Sequence, residues 1–154
     1  MKNITRALLL LCLICSVVIS NAQEGTTTSL LEQYYGIKDA LVAGNNAEAS
    51  KHAADFGKAL DANKSVAAAL KSKLSDGAKS IADAKDIAKQ RSAFAGFSSS
   101  MVSLVKSSKP STPVYIDYCP MKEASWLSAE KEIKNPYYGD AMLTCGSVKE
   151  TVKP

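Results

Sequence analysis

From Leu30 to Val105 the apolar side chains recur at intervals of three, four and seven residues, the spacing of one face of an α-helix. Leu30, Tyr34, Ile37 and Leu41 make the first stripe. Thr28 or Ser29 is placed to cap that helix, and Gly44-Asn45-Asn46 to end it and start the next. Ala49, Ala53, Phe56 and Leu60 form a second stripe over Ala47 to Leu60. After a weak break at Asp61 to Ser65, Val66, Leu70 and Leu74 begin a third. Asp76-Gly77 reads as an interruption, and a fourth helix is expected from about Ala78 to Val105. It carries Ile87, Phe94, Met101 and Val105 on one side, with room for a kink near Asp83 to Asp86. Short connections between amphipathic helices favour antiparallel neighbours, so the pattern predicts an up-and-down bundle of about four helices.

The pattern changes after residue 106. Ser107-Ser108-Lys109-Pro110-Ser111-Thr112-Pro113 is polar and broken by proline, and all five prolines of the chain lie at or beyond Pro110. Upstream, 17 of the 56 residues from Ala40 to Ala95 are alanine, the best intrinsic helix former. Downstream, Val114-Tyr115-Ile116-Asp117-Tyr118 is β-prone, Asn135-Pro136-Tyr137-Tyr138-Gly139-Asp140 is turn chemistry, and Met142 to Cys145 is short and apolar. The last of these is expected to lie beside the first. The fold predicted is mostly α, a bundle over residues 23–106, a connector at 107–113 and an extended or short-β tail at 114–154 packed on it. The whole reads as one domain, 23–154.

The amino terminus has a different grammar. Lys2 and Arg6 precede an apolar run from Ala7 to Ile19 broken only by Ser16, and Ser20-Asn21-Ala22 sets small residues at −3 and −1 of a cleavage site. That is a Sec-type signal peptide over residues 1–22, with cleavage after Ala22 and a periplasmic or secreted product. The run is too short to span roughly 30 Å of hydrocarbon comfortably, so no stable membrane insertion is expected after cleavage.

Cleavage removes two of the nineteen Lys and Arg and none of the fifteen Asp and Glu. The remaining excess of positive charge is too mild to point to nucleic acid or an anionic membrane. Cys12 and Cys15 leave with the signal, and one His and two Cys remain. There is no G-x-S-x-G elbow, phosphate-cradling loop or H-E-x-x-H helix, and no carboxylate pair held by spacing, so an enzyme is not expected. Arg91 is expected to pair with a helical carboxylate such as Asp39 or Asp55. The Lys and Glu residues of Lys122 to Lys134 read as a solvated surface.

What chemistry remains is concentrated in sulfur. Cys119-Pro120-Met121 and Met142-Leu143-Thr144-Cys145 each set a methionine near a cysteine. Thiolates and thioethers are soft donors that select Cu(I) and similar ions over Mg or Ca. Cys119, Met121, Met142 and Cys145 are therefore the candidate metal ligands. Trp126 is a candidate to shield the ion or stack on it, and His52 to add a nitrogen if the tail folds over the second helix. The same two cysteines in an exported chain also fit a Cys119–Cys145 disulfide. Closing a loop of about 26 residues would stabilise the fold by roughly 3 to 4 kcal/mol in the chain-entropy model.

Tyr118-Cys119-Pro120-Met121, Trp126-Leu127-Ser128, Ile133 to Gly139 and Met142 to Gly146, with Tyr34-x-x-Ile37-Lys38-Asp39-Ala40-Leu41-Val42 and Gln90-Arg91-x-x-Phe94, resemble a bacterial exported family of unknown function. Its domain is also found at the C-terminus of periplasmic adaptor subunits of heavy-metal efflux systems of the copper/silver type. Tyr-Cys-Pro-Met is similar as well to the opening of short heavy-metal-binding modules. Those continue with His or Cys, whereas Lys122 and Glu123 follow here. The resemblance implies a periplasmic soft-metal-binding accessory or sensor whose partner is an efflux component. The competing expectation is a disulfide-stapled structural or interaction domain that docks another envelope protein and has no metal role.

Overall fold

The protein is described here by a computed structural model covering residues 27–154. The expected signal peptide and its cysteines lie outside the described residues. Four helices are followed by a small antiparallel sheet, so the fold is mostly α, as the periodicity predicts. Helix α1 occupies 27–42, α2 Asn46–Ala62, α3 Ala68–Asp83 and α4 Ile87–Ser107. Strands β1 Val114–Cys119, β2 Ala124–Ser128 and β3 Ser147–Val152 form a sheet in the order β2-β1-β3. Among the described residues, no helix is long and apolar enough to cross a membrane.

The stripes read from the sequence become the core. Leu30, Tyr34, Ile37 and Leu41 are buried, as are Ala49, Ala53, Phe56 and Leu60, and Phe94, Met101 and Val105. Asn45 caps α2, its Oδ1 accepting from Glu48 N at 3.1 Å, a position at which Asn satisfies an otherwise orphaned amide. The helix boundaries differ from expectation in three places. The chain is already helical at Thr27, so Thr28 and Ser29 lie inside α1 rather than at its cap. Asp76-Gly77 does not interrupt α3. Gly77 sits where a Cβ would meet Phe97 Cβ at 3.0 Å, so glycine is there to let α3 and α4 approach. The break falls instead at residues 84–86, where Asp86 Oδ1 accepts from Lys89 N at 2.8 Å and starts α4.

Two polar side chains of α4 tie the bundle together. Gln90 is fully buried, and its Nε2 donates to Asn46 O at 3.0 Å, Ser50 Oγ at 2.9 Å and Ile81 O at 3.3 Å, joining α2, α3 and α4. Arg91 takes none of the carboxylates expected for it. Its Nη2 and Nε donate to Leu41 O at 2.7 and 3.3 Å, adding to the long 3.3 Å bond that this carbonyl takes from Gly44 N–H at the end of α1, where a cation is also favoured by the helix dipole.

The tail departs most from expectation. β1 pairs with β2 (Tyr115 with Ser128 through Cys119 with Ala124) and with β3 (Val114 with Val152 through Tyr118 with Ser147). Met142 to Cys145 is no strand; Met142 closes a short 3₁₀ turn, Gly139–Met142. The Lys and Glu side chains of 122–134 are exposed or half-buried, but the same stretch contains β2, whose Trp126, Leu127 and Ser128 are buried. The outer edge of β2 is covered by the bundle. Leu127 N–H donates to Tyr34 Oη at 2.9 Å, Tyr34 Oη bonds Ser98 Oγ at 2.6 Å, and Ser98 Oγ donates to Ser125 O at 2.9 Å. An otherwise open strand edge is thereby satisfied by side chains of α1 and α4. The Tyr137 hydroxyl reaches the same Ser125 O at 2.6 Å, and its ring lies 5.8 Å from that of Phe94.

Candidate functional site at the paired cysteines

Cys119 ends β1 opposite Ala124 and is fully buried. Cys145 follows the 3₁₀ turn, partly exposed, with its N–H donating to Met142 O at 3.0 Å. The two sulfurs lie 3.8 Å apart as free thiols, although 26 residues separate them. Asn135 builds this approach from inside. Its side-chain Nδ2 donates to Cys145 O at 2.7 Å, its backbone N–H to Leu143 O at 2.8 Å, and its Oδ1 accepts from Tyr137 N at 2.8 Å. One buried amide thus holds the Cys145 loop and the aromatic turn in register.

Gly146 completes the turn. Its φ of +146° lies in the region that disfavours side chains, and a Cβ there would stand 2.7 Å from Trp126 Cη2 and 3.0 Å from Tyr118 O. The ring of Trp126, fully buried and edge-on to Tyr137 at 6.0 Å, therefore forms a wall directly beside the residue after Cys145. The candidate thioethers are on the outside. Met121 is 63% exposed in the β1–β2 connection and Met142 is 37% exposed. His52 is elsewhere: its Nδ1 bonds Gln33 Oε1 at 3.0 Å, its Nε2 lies 3.9 Å from Glu48, and its ring packs over Gly36 of α1. The physical reason is that β2 of the tail packs on α4, while α2 faces α3.

The electrostatics favour a protonated Cys145 at rest. Partial burial, and then the neighbouring Cys119 sulfur, push the Cys145 thiol above its ordinary value. Among the described residues, no three His, Cys, Asp or Glu side chains gather into a metal-holding group. The sulfur donors that the structure brings together here are the two thiols. The spacing suits a shared ion. For zinc–thiolate bonds of about 2.3 Å, sulfurs at this separation subtend an angle of about 110°, close to a tetrahedral edge.

Sequence reasoning did not single out Asn135 or Gly146 as builders of the site, although Asn-Pro and Cys-Gly are turn signals. It also passed over Asp117, two residues before Cys119. Asp117 is fully buried between β2 and β3, and neither carboxylate oxygen has a hydrogen-bond partner. Burial pushes its carboxyl up to about 6, against the opposing pull of Lys38.

A family model described as a protein of unknown function (DUF3347) matches residues 30–113. The chain belongs to the DUF3347 family. The match spans the bundle from early α1 through the connector and ends one residue before β1, so the family assignment rests on the helices that the amphipathic stripes describe. Searches of curated proteins and of solved structures gave no match.

Proposed function

We propose that this DUF3347 protein is an exported dithiol module that binds a soft metal ion of the Cu(I)/Ag(I) class. In this reading Cys119 and Cys145 are the anchoring thiolates, and Met121 and Met142 are exchangeable thioether donors on the solvent side. The observation that carries it is the 3.8 Å approach of two free thiols from distant parts of the chain, each with a methionine within three residues. Two thiolates supply the soft, charged part of the donor set, and exposed thioethers leave a route by which a monovalent ion passes to another protein. Trp126 closes the inner wall and keeps water from that side.

The role is that of an accessory or sensor in heavy-metal efflux, with a periplasmic efflux component as partner. Its support is the resemblance of the tail motifs to domains that end efflux adaptor subunits, together with the signal-like run at residues 1–22. Metal uptake would release the thiol protons. The raised Cys145 thiol then makes affinity climb with pH and fall on acidification, while the thioether share persists because thioethers carry no proton. Equilibrium competition with a colorimetric Cu(I) chelator at pH 6 and pH 8 tests this; tighter binding at pH 8 is expected, and equal binding would remove the thiolates from the site.

A second reading is favoured by the same sulfur contact. Oxidation would turn the pair into a staple of a structural or partner-docking envelope domain. It requires the sulfurs to close from 3.8 Å to about 2.0 Å. Thiol counting on the Cys12→Ser, Cys15→Ser chain purified without reductant separates the two, since two titratable thiols favour the metal module and none favours the staple.

A further inference from the structure

The two thiols are chemically alike but sit in opposite surroundings. Cys119 is 0% exposed, locked at the end of a central strand, whereas Cys145 reaches solvent from a loop whose backbone is held by Asn135. Thiol–disulfide exchange needs a thiolate to meet a sulfur of an incoming disulfide, and access decides which thiol does so. A fully buried sulfur cannot receive a bulky disulfide. A sulfur already 3.8 Å away inside the same molecule is within its reach. Met121, Met142 and Val148 are the exposed large apolar side chains among the described residues, and each lies within three residues of one of the two cysteines. Cys145 itself is partly exposed, so an incoming disulfide can reach its sulfur.

We propose that the pair is an ordered thiol–disulfide exchange site in which Cys145 makes the first bond to an incoming disulfide and Cys119 resolves it. Cys145 loses its proton to water and its thiolate attacks one sulfur of the disulfide RSSR. A Cys145–SR bond forms, the S–S bond of the reagent breaks, and RS⁻ leaves and is protonated. Cys119 then loses its proton and attacks the Cys145 sulfur. The Cys119–Cys145 bond forms and the second RS⁻ departs. One disulfide is reduced to two thiols, and the protein dithiol is oxidised by two electrons. The chemistry rests on the two free thiols and not on the metal reading. Its consequence for that reading is a redox gate: the oxidised pair has no thiolate to offer a metal.

The test uses the full chain with Cys12→Ser and Cys15→Ser, reduced, metal-free and exposed to excess glutathione disulfide, with acid-quenched samples read by mass spectrometry. With Cys119→Ser added, a stable glutathione adduct accumulates on Cys145. With Cys145→Ser added instead, the adduct on Cys119 forms at least about fivefold more slowly, because access to a buried thiol requires local opening. The chain with both cysteines proceeds to the intramolecular disulfide without accumulating the adduct. Cys119→Ala and Cys145→Ala repeat the comparison in case serine disturbs the fold, and circular dichroism verifies the helices. A ratio below fivefold overturns the order, and so does an adduct that persists when both cysteines are present. Cu(I) uptake by the same reduced preparation is scored separately, so failure of the exchange order and failure of metal binding give different results.

Discussion

The bundle and the tail differ in how each is held together, and in what each is able to do. Helices α1 to α4 bury continuous stripes of Leu, Ile, Phe and Ala against one another, and they carry the family match. Their sulfur is Met101, a fully buried core residue. The tail has three short strands, one of them, β3, exposed along almost all its length. Yet it contains both described cysteines and both exposed methionines. A sheet of this size has little independent stability. It is ordered by what it borrows from the bundle: Tyr34 and Ser98 on the edge of β2, and Phe94 against Tyr137. The helices thus act as a mount, and the paired cysteines are placed by a segment that depends on it.

The sharpest way to break that dependence is at Phe94, whose ring meets Tyr34, Phe97 and Tyr137 and so touches both regions. Phe94→Ala is expected to cost about 3 to 5 kcal/mol. Urea unfolding followed by helix signal and by Trp126 fluorescence should show the two transitions shifting together. Loss of the Trp126 transition alone would mean that the tail is not mounted in this way.

Asp117 comes next, as a liability that belongs to the tail. Its folded pKa of about 6 exceeds the unfolded value of about 3.9, so the native state holds the proton more tightly. Stability from this group is therefore complete below about pH 4 and is lost as pH rises through 6, a loss of roughly 2 to 3 kcal/mol. Asp117→Asn should recover most of that loss at pH 7.5 and almost none at pH 4. Denaturant midpoints at the two pH values measure it; a gain of equal size at both would show that the carboxyl is not the titrating group.

The fold was legible where one physical signal decides an element. The stripe Leu30, Tyr34, Ile37, Leu41 has no competing explanation, and the Asn45 cap follows from a short polar side chain after Gly44. Gly77 misleads because glycine usually weakens a helix, whereas here a neighbouring Phe97 demands the missing Cβ. β3 gives no alternation to read, since neither of its faces is buried to any extent. β2 hides among Lys and Glu, and Arg91 serves a backbone carbonyl that no side-chain pattern advertises. The candidate site was legible as composition, a methionine beside each cysteine. The agents that bring the sulfurs together, Asn135 and Gly146, act through backbone geometry and were visible only as a turn.

Two smaller changes probe the contacts between bundle and tail. Tyr34→Phe leaves the ring in place but strips the acceptor from Leu127 N and the partner from Ser98, and a cost of about 1 to 2 kcal/mol is expected in urea unfolding. Faster amide exchange at Leu127 than elsewhere in the sheet would locate the damage at the edge of β2. The exposed Lys106–Glu150 pair also joins α4 to β3, but solvent screens it. Lys106→Ala should change stability by no more than about 0.5 kcal/mol, and a larger effect in thermal unfolding would mean that surface charge, not the buried contacts, mounts the tail.

In the proposed reading the mounted tail presents a soft-metal dithiol. A Cu(I) titration with thiol counting on the reduced full chain, with Cys12→Ser and Cys15→Ser, tests it directly. One ion per chain is expected, with Cys119 and Cys145 protected together from alkylation and uptake lost when both are changed to serine. Uptake that survives the double change, or saturating Cu(I) that leaves both thiols open to alkylation, would contradict it.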